Sequence, residues 1–193
     1  MISNKIKDGI AGNIIIPPDK SISHRSIIIP SISIGVSEIN NLLMSDDVLH
    51  TLNAFKLLGV KIEKLNDKVI IYGKGLNSLK KSNRSIYLGN SGTSARLLTG
   101  LLASQTFESI LEGDKSLSSR PMTRIMDPLK LMGAKFENVS GTLPLKIIGK
   151  KLNKSTIEIE LPSAQIKSGL ILAALNTEGI SHIIEKNITR DHT

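Results

Sequence analysis

Three polar segments of this sequence group hydroxyls, amides, glycine and single cations in a way that suits anion binding. The first is Asp19-Lys20-Ser21-Ile22-Ser23-His24-Arg25. If Asp19 or its neighbour caps a helix, Ser21 and Arg25 fall at i and i+4 on one face, and Lys20 projects from the opening turn. A hydroxyl, a guanidinium able to make two parallel hydrogen bonds and free backbone N–H groups at the positive helix end would then converge on one carboxylate or phosphate. The second is Gly89-Asn90-Ser91-Gly92-Thr93-Ser94-Ala95-Arg96, a glycine-containing loop entering an apolar helix. Gly92 lets a ligand approach the backbone, and Ser91 or Thr93 can cap the helix or donate to a phosphate oxygen. It lacks the Gly-Lys-Ser/Thr ending of a P-loop. The third, Ser163-Ala164-Gln165-Ile166-Lys167-Ser168, again offers a hydroxyl, an amide and backbone N–H groups at a helix start.

Any one of these segments is equally a capped helix with solvated cations. Their joint occurrence at one phase of a repeat is what points to a site. A fourth stretch, Gly113 to Arg124, places Arg120 directly before Pro121. A residue preceding proline favours extended backbone, so Arg120 is expected to point away from the helix it precedes, as a carboxylate or phosphate clamp. Arg124, one turn further, reads as a structural or surface cation. His24 lies inside the first segment, while His50 and His182 follow apolar patterns and read as partly buried structural residues. No histidine pair has metal-ligand spacing.

The elements that position these segments recur. Leu57-Leu58-Gly59-Val60-Lys61-Ile62-Glu63 returns about 74 positions later as Leu131-Met132-Gly133-Ala134-Lys135-Phe136-Glu137. Each copy reads as helix, glycine stop, then hairpin. The helices are expected from about Asp46 to Leu58 and from about Pro121 to Met132, with Pro121 in the first turn. The hairpins follow at Lys61 to Tyr72, turning at Asn66-Asp67, and at Lys135 to Ile148, with Ser140-Gly141 as the turn pair. Ahead of each lies a helix with a polar start, Lys20 to Pro30 and Ser91 to Ala103. A third such helix, Ala164 to Leu175, leads to a strand at Ser181 to Glu185. The unit is therefore strand, helix, strand, helix, strand, strand, an α/β repeat. By register, a second helix and hairpin would follow Arg190-Asp191-His192-Thr193, so the chain is expected to stop inside its third unit. Pro17-Pro18 is expected to separate a short strand, Asn13 to Ile16, from the first helix as a hinge.

Composition narrows the classes. The 193 residues are 40% apolar, enough for a core, but with three Phe, two Tyr and no Trp that core rests on Ile, Leu and Val. Scarce aromatics weaken a single-stranded nucleic-acid reading, despite a net charge of +8. Many lysines sit in polar turns such as Lys80-Lys81-Ser82-Asn83-Arg84, which reads as solvated surface. Cysteine is absent, which excludes disulfides, thiolate metal sites and a cysteine nucleophile, and fits a cytoplasmic protein. Nothing approaches the roughly 20 apolar residues of a membrane helix.

Together the motifs resemble the 5-enolpyruvylshikimate-3-phosphate synthase family, across the whole chain and in order. Lys20-Ser21-Ile22-Ser23-His24-Arg25 is similar to its Lys-Ser-x-Ser-x-Arg signature, Gly89 to Thr93 to its Gly-Asn-x-Gly-Thr loop, and Arg120-Pro121-Met122 to its Arg-Pro-Met clamp. Ser163 to Ser168 and Arg190 to Thr193 match two further motifs. The resemblance implies two similar domains, each an inside-out barrel of three βαβαββ units, closing on substrate. Residues 1–18 would then belong with a second domain absent from this chain, and residues 19–193 would form a first domain truncated in its third unit.

The resemblance further implies transfer of the enolpyruvyl group of phosphoenolpyruvate to the 5-hydroxyl of shikimate 3-phosphate, in the shikimate pathway, with release of phosphate. No metal or organic cofactor, nucleic acid or membrane is implied. The full-length form would be a cytoplasmic monomer, and this chain alone would be inactive without its C-terminal half. Position by position, Lys20, Ser21, Arg25, Ser163, Ala164 (through its backbone N–H), Gln165 and Thr189 would take shikimate 3-phosphate, Ser21 and Arg25 holding its carboxylate. Lys20, Gly92, Arg120 and Gln165 would take phosphoenolpyruvate, and Lys20 would also move a proton. Thr189 departs from the serine common in the family: it keeps a hydroxyl but adds a methyl group. The sister family acting on a UDP-amino sugar fits less well, since it typically pairs Lys with Asn at the first helix and often uses a loop cysteine.

Overall fold

The computed structural model describes residues 12–14, 16–137 and 140–193. Nine strands and six helices follow in the order α1 (Lys20–Ile32), β1 (Ile34–Asn40), α2 (Asp46–Leu57), β2 (Lys61–Leu65), β3 (Lys68–Lys74), β4 (Ile86–Tyr87), α3 (Gly92–Ala103), β5 (Glu108–Glu112), α4 (Lys115–Ser118), α5 (Thr123–Leu131), β6 (Lys135–Glu137), β7 (Leu145–Ile148), β8 (Thr156–Ile159), α6 (Ala164–Ala174) and β9 (His182–Glu185) among the described residues. A 3-10 turn at Leu76–Ser78 joins the first unit to the second.

The repeat seen in the sequence is also present in the strand pairing. One sheet has the order β4-β5-β7-β6, with β4 parallel to β5 and the other pairs antiparallel. A second sheet, β1-β3-β2, has the same order without the leading strand, and the parallel pair β8-β9 reproduces only the opening of the unit. Helices α2 and α5 each stop at a glycine with positive φ, Gly59 at 87° and Gly133 at 89°, a backbone that a side chain would strain. Asn66, at φ 51°, opens the two-residue turn between β2 and β3, as its type predicts.

Helices α1, α3 and α6 begin the three units and meet in the middle of the molecule, with the sheets packed outside them. This explains why α3 is apolar nearly all round: Leu97, Leu98, Leu101 and Leu102 are fully buried, each contributing roughly 1.5–3 kcal/mol. The closest helix contact is between α3 and α6, where two glycines face each other. A Cβ on Gly100 would stand 1.9 Å from the carbonyl oxygen of Gly169, and one on Gly169 would stand 2.8 Å from that of Arg96. Glycine is required here because backbone touches backbone.

Several expectations need correction. Helix α5 begins at Thr123, so Pro121 lies before the helix and not in its first turn; the chain first makes the short helix α4, capped by the Asp114 carboxylate on the Leu117 N–H. Helix α1 runs two residues past Pro30, where the Ser31 and Ser33 hydroxyls bond the carbonyls of Ile27 and Ile29. The link from β6 to β7 spans residues 138–144, longer than a turn at Ser140-Gly141 alone. His182 is exposed, because alternation along β9 turns it outward. Of the expected strand at 13–16, Asn13, Ile14 and Ile16 have no regular structure, and Ile15 lies outside the described residues, as do residues 1–11.

Candidate active site

All three unit-opening helices are capped alike. The Asp19 carboxylate accepts from the Ile22 N–H at 2.8 Å, the Ser91 hydroxyl from the Ser94 N–H at 3.2 Å, and the Ser163 hydroxyl from the Ile166 N–H at 3.4 Å. The cap takes the third N–H of each helix and fixes its entry, so three helix ends carrying partial positive charge are held in register. The ends of α3 and α6 touch: Gln165 Nε2 donates to Thr93 Oγ1 at 3.0 Å.

A cleft of about 520 Å³ opens over these helix ends. Lys20 stands on one side, with its ammonium paired to the Asp47 carboxylate at the start of α2. Ser163 and Gln165 form another side, and Gly92 and Thr93 the middle. The remaining wall is three arginines, 96, 120 and 124, so among the described residues four cations face a single carboxylate. A second hollow of about 350 Å³ between α5 and β8 is more apolar, walled by Pro128, Leu131, Ile157 and Ile159 among others. It lacks this convergence of cations and helix ends.

The arginines define the cleft's most positive point. A Cβ at Gly92 would stand 2.8 Å from a terminal nitrogen of Arg96 and 3.3 Å from one of Arg120. Two guanidinium nitrogens thus border one small space at the α3 N-terminus, kept open because residue 92 has no side chain. Arg120 is braced by the Asn90 side-chain oxygen and by Ser116 Oγ at 3.3 Å. Arg96 donates to the Gly92 carbonyl at 3.0 Å and to that of Pro121 at 3.3 Å, tying the α3 start to the loop that carries Arg120. Burial first, then repulsion from Arg120 and Arg124, pushes the Arg96 guanidinium below its ordinary pKa. It stays charged at neutral pH, and a bound anion would relieve that repulsion.

A family model described as EPSP synthase (3-phosphoshikimate 1-carboxyvinyltransferase) matches residues 5–193. The chain belongs to the EPSP synthase family. It is 54% identical over 184 residues to the 3-phosphoshikimate 1-carboxyvinyltransferase of Vesicomyosocius okutanii subsp. Calyptogena okutanii, covering 94% of this chain and 42% of that relative. It is 45% identical over 197 residues to the enzyme of the same name from Listeria welshimeri, covering 100% of this chain and 45% of the relative. The solved EPSP synthase from Acinetobacter baumannii superposes with a TM-score of 0.90 at 45% identity, over 94% of this chain and 42% of that one. The chain thus spans less than half the length of the relatives it matches.

Of the site residues expected in this EPSP synthase family member, the structure gathers Lys20, Gly92, Arg120, Ser163 and Gln165 around the cleft. Ser21, Arg25, Ala164 and Thr189 do not line it. Arg25 is 6% exposed and fully engaged with the chain: Nε donates to the Thr193 hydroxyl at 2.6 Å, one terminal nitrogen to the Ser21 carbonyl at 2.9 Å, and the other to the Ser168 hydroxyl at 2.6 Å. The Thr189 hydroxyl donates to Glu185, which is also ion-paired to Lys167 of α6 at 2.7 Å. Sequence reasoning did not single out Asp47 and Arg96, and took Arg124 for a structural or surface cation. Arg96 follows Gly92 by one helical turn, and a long helical side chain leans toward the N-terminus, so spacing could have suggested it. Nothing local marks Asp47, because only the packing of α2 on α1 brings it to Lys20.

Proposed function

We propose that this chain supplies one half of a site that transfers the enolpyruvyl group of phosphoenolpyruvate to the 5-hydroxyl of shikimate 3-phosphate. The reading rests on membership of the EPSP synthase family, on relatives that are 3-phosphoshikimate 1-carboxyvinyltransferases, and above all on the convergence of Arg96 and Arg120 beside Gly92 at the start of α3. In this reading the two guanidinia and the α3 N-terminus hold the phosphate of phosphoenolpyruvate, and Gln165 adjoins it. Shikimate 3-phosphate lies toward α6, with its phosphate on Ser163, the Ala164 N–H and Gln165. Its carboxylate reaches Ser21 and Arg25 once Arg25 exchanges its hydroxyl partners for it, and Thr189 joins that phosphate on release from Glu185.

The 5-hydroxyl oxygen forms a bond to C2 of phosphoenolpyruvate and gives up its proton to water, while C3 gains a proton, giving a tetrahedral intermediate. The C2–O bond to phosphate then breaks, C3 returns a proton to Lys20, and inorganic phosphate leaves with the enolpyruvyl product. Lys20 donates the first proton, with Asp47 holding its ammonium in place. The cations stabilise the charge that gathers on the departing phosphate. Residues 19–193 form one domain built as an inside-out barrel, and a second domain carries the opposing half of the site.

Calorimetry on this chain with each substrate and with inorganic phosphate tests the reading. Phosphoenolpyruvate and shikimate 3-phosphate are expected to bind more tightly than inorganic phosphate. A phosphate-release assay is expected to show turnover only after a separately made C-terminal half from a relative is added. Equal affinity for all three anions, or turnover by the chain alone at the rate of the mixture, would overturn it.

A further inference from the structure

Beneath the cleft lies a polar chain that the proposed function does not use. His24 follows Lys20 by one helical turn, and Thr51 follows Asp47 by one turn, so both sit directly below the Lys20–Asp47 pair. His24 Nδ1 is 2.8 Å from Thr51 Oγ1, which is 2.6 Å from Ser94 Oγ, which is in turn 2.6 Å from Ser91 Oγ. All four residues are wholly buried, and they come from α1, α2 and both sides of the α3 start. Ser91 is the α3 cap and Ser94 the residue it caps, so the chain ends on the two residues that bracket Gly92 and Thr93.

Such a chain has no packing rationale. Thr51 stands among apolar neighbours in α2, where valine has the same shape without a hydroxyl to desolvate. Burial pushes the His24 pKa down to about 4, so at neutral pH the ring carries one N–H. Among the described residues, His24 Nε2 is buried without a partner. A proton there would be a stranded donor, whereas a proton on Nδ1 strands only a lone pair, the less unfavourable arrangement. The order that follows is His24 Nδ1–H to Thr51, Thr51 O–H to Ser94 at 2.6 Å in preference to the Asp47 carbonyl at 3.3 Å, and Ser94 O–H to Ser91, which also accepts the Ser94 N–H.

We infer that His24, Thr51, Ser94 and Ser91 form a positioning network, with His24 donating from Nδ1, that fixes the anion-binding start of α3 relative to Lys20 and Asp47. None of the four touches the ligand in this picture. They hold the Gly92 and Thr93 amides at a set distance from the Lys20 ammonium, so the network tunes anion affinity through the backbone. The inference rests on the proposed phosphoenolpyruvate site for its ligand, but its structural part does not.

The test is nuclear magnetic resonance on the 193-residue chain and three variants. In the wild-type protein, ring 15N shifts at pH 7 are expected to show His24 as a single neutral Nδ1–H tautomer; the Nε2–H form or a mixture would overturn the inference. Thr51→Val is expected to displace the Gly92 and Thr93 amide resonances without ligand and to weaken phosphoenolpyruvate about 10-fold, while Thr51→Ser, which restores the hydroxyl, stays within about twofold of wild type. Ser94→Ala breaks the chain from the α3 side and serves if Thr51→Val does not fold. Unmoved Gly92 and Thr93 amides in a folded variant, or equal loss in Thr51→Ser and Thr51→Val, would overturn the network while leaving the site reading intact. No phosphoenolpyruvate binding by the wild type, with the amide displacement still present, would sink the site reading and leave the network standing.

Discussion

Arg25 and Arg120 occupy similar places in the sequence, each near the start of a helix in a motif suited to clamping an anion, yet they end in opposite environments. Arg120 stands at the rim of the cleft, braced by Asn90 and Ser116, with a nitrogen bordering the empty space at Gly92. Arg25 is turned inward and spends all three of its hydrogen-bonding nitrogens on the chain itself. A motif places a cation on the correct helix turn, but tertiary partners decide whether it faces a ligand. In this structure Arg120 is braced at the cleft rim, and Arg25 joins separated parts of the fold.

The contrast predicts unequal outcomes for the same substitution. Arg25→Ala should lower the stability of the chain by roughly 3 kcal/mol, because it removes a buried guanidinium whose hydrogen bonds tie α1 to Ser168 of α6 and to Thr193. Its affinity for phosphoenolpyruvate should change by less than twofold. Urea denaturation and calorimetry read the two quantities, and a stable Arg25→Ala chain with lost phosphoenolpyruvate binding would reverse the roles assigned here. Arg120→Ala should do the opposite, weakening phosphoenolpyruvate by roughly 2–3 kcal/mol, a factor of 30 or more, with an unchanged urea midpoint.

His24 sharpens the comparison by adding a buried group that carries no charge. Burial is the main cause of its depressed pKa; Lys20 and Arg25 lower it further, and Asp47 acts against them. The unfolded chain takes up a proton near pH 6.5 and the folded chain only near pH 4, so stability is whole above pH 6.5 and falls as pH drops through that window. Between pH 7 and pH 5 the loss from this group is roughly 2 kcal/mol. His24→Gln should flatten that part of the stability profile, and an equally steep profile in the variant would assign the acid sensitivity elsewhere. The smallest effect is expected at Gly92→Ala. The new methyl group enters the space between Arg96 and Arg120, but the nearest atom is the far end of a flexible side chain, so phosphoenolpyruvate should weaken by only about 1 kcal/mol, roughly fivefold. Unchanged affinity in a titration would mean that the anion sits away from the α3 N-terminus.

What could be read from the sequence was local. Cap residues, the glycine stops at Gly59 and Gly133 and the Asn66-Asp67 turn all act within a few residues, and the structure shows each of them. The five cleft residues that were foreseen lie at or beside helix starts, where side-chain type and position are nearly the whole story. Failures came where distant chain decides. Two of the three partners of Arg25 lie 143 and 168 residues away, and no local pattern encodes them. Asp47 enters the site only because α2 packs on α1. Pro121 suited the first turn of a helix by type, yet the loop it occupies is held by an Arg96 bond to its carbonyl and by Met122, whose N–H bonds the Gly141 carbonyl at 2.8 Å.

The glycine pair at the crossing of α3 and α6 bears on how the chain folds. Repeat proteins commonly gain stability one unit at a time, each unit adding its own term and a modest interface with its neighbour. Here the second and third units meet backbone against backbone, and the Gly100 carbon faces the Gly169 carbonyl with no room for even one methyl group. Neither helix can reach its final position until the other arrives, so the interface term rivals the intrinsic one. The array is modular in its sequence but should melt as a block from α3 to α6, with amide protons on both helices exchanging at a common rate.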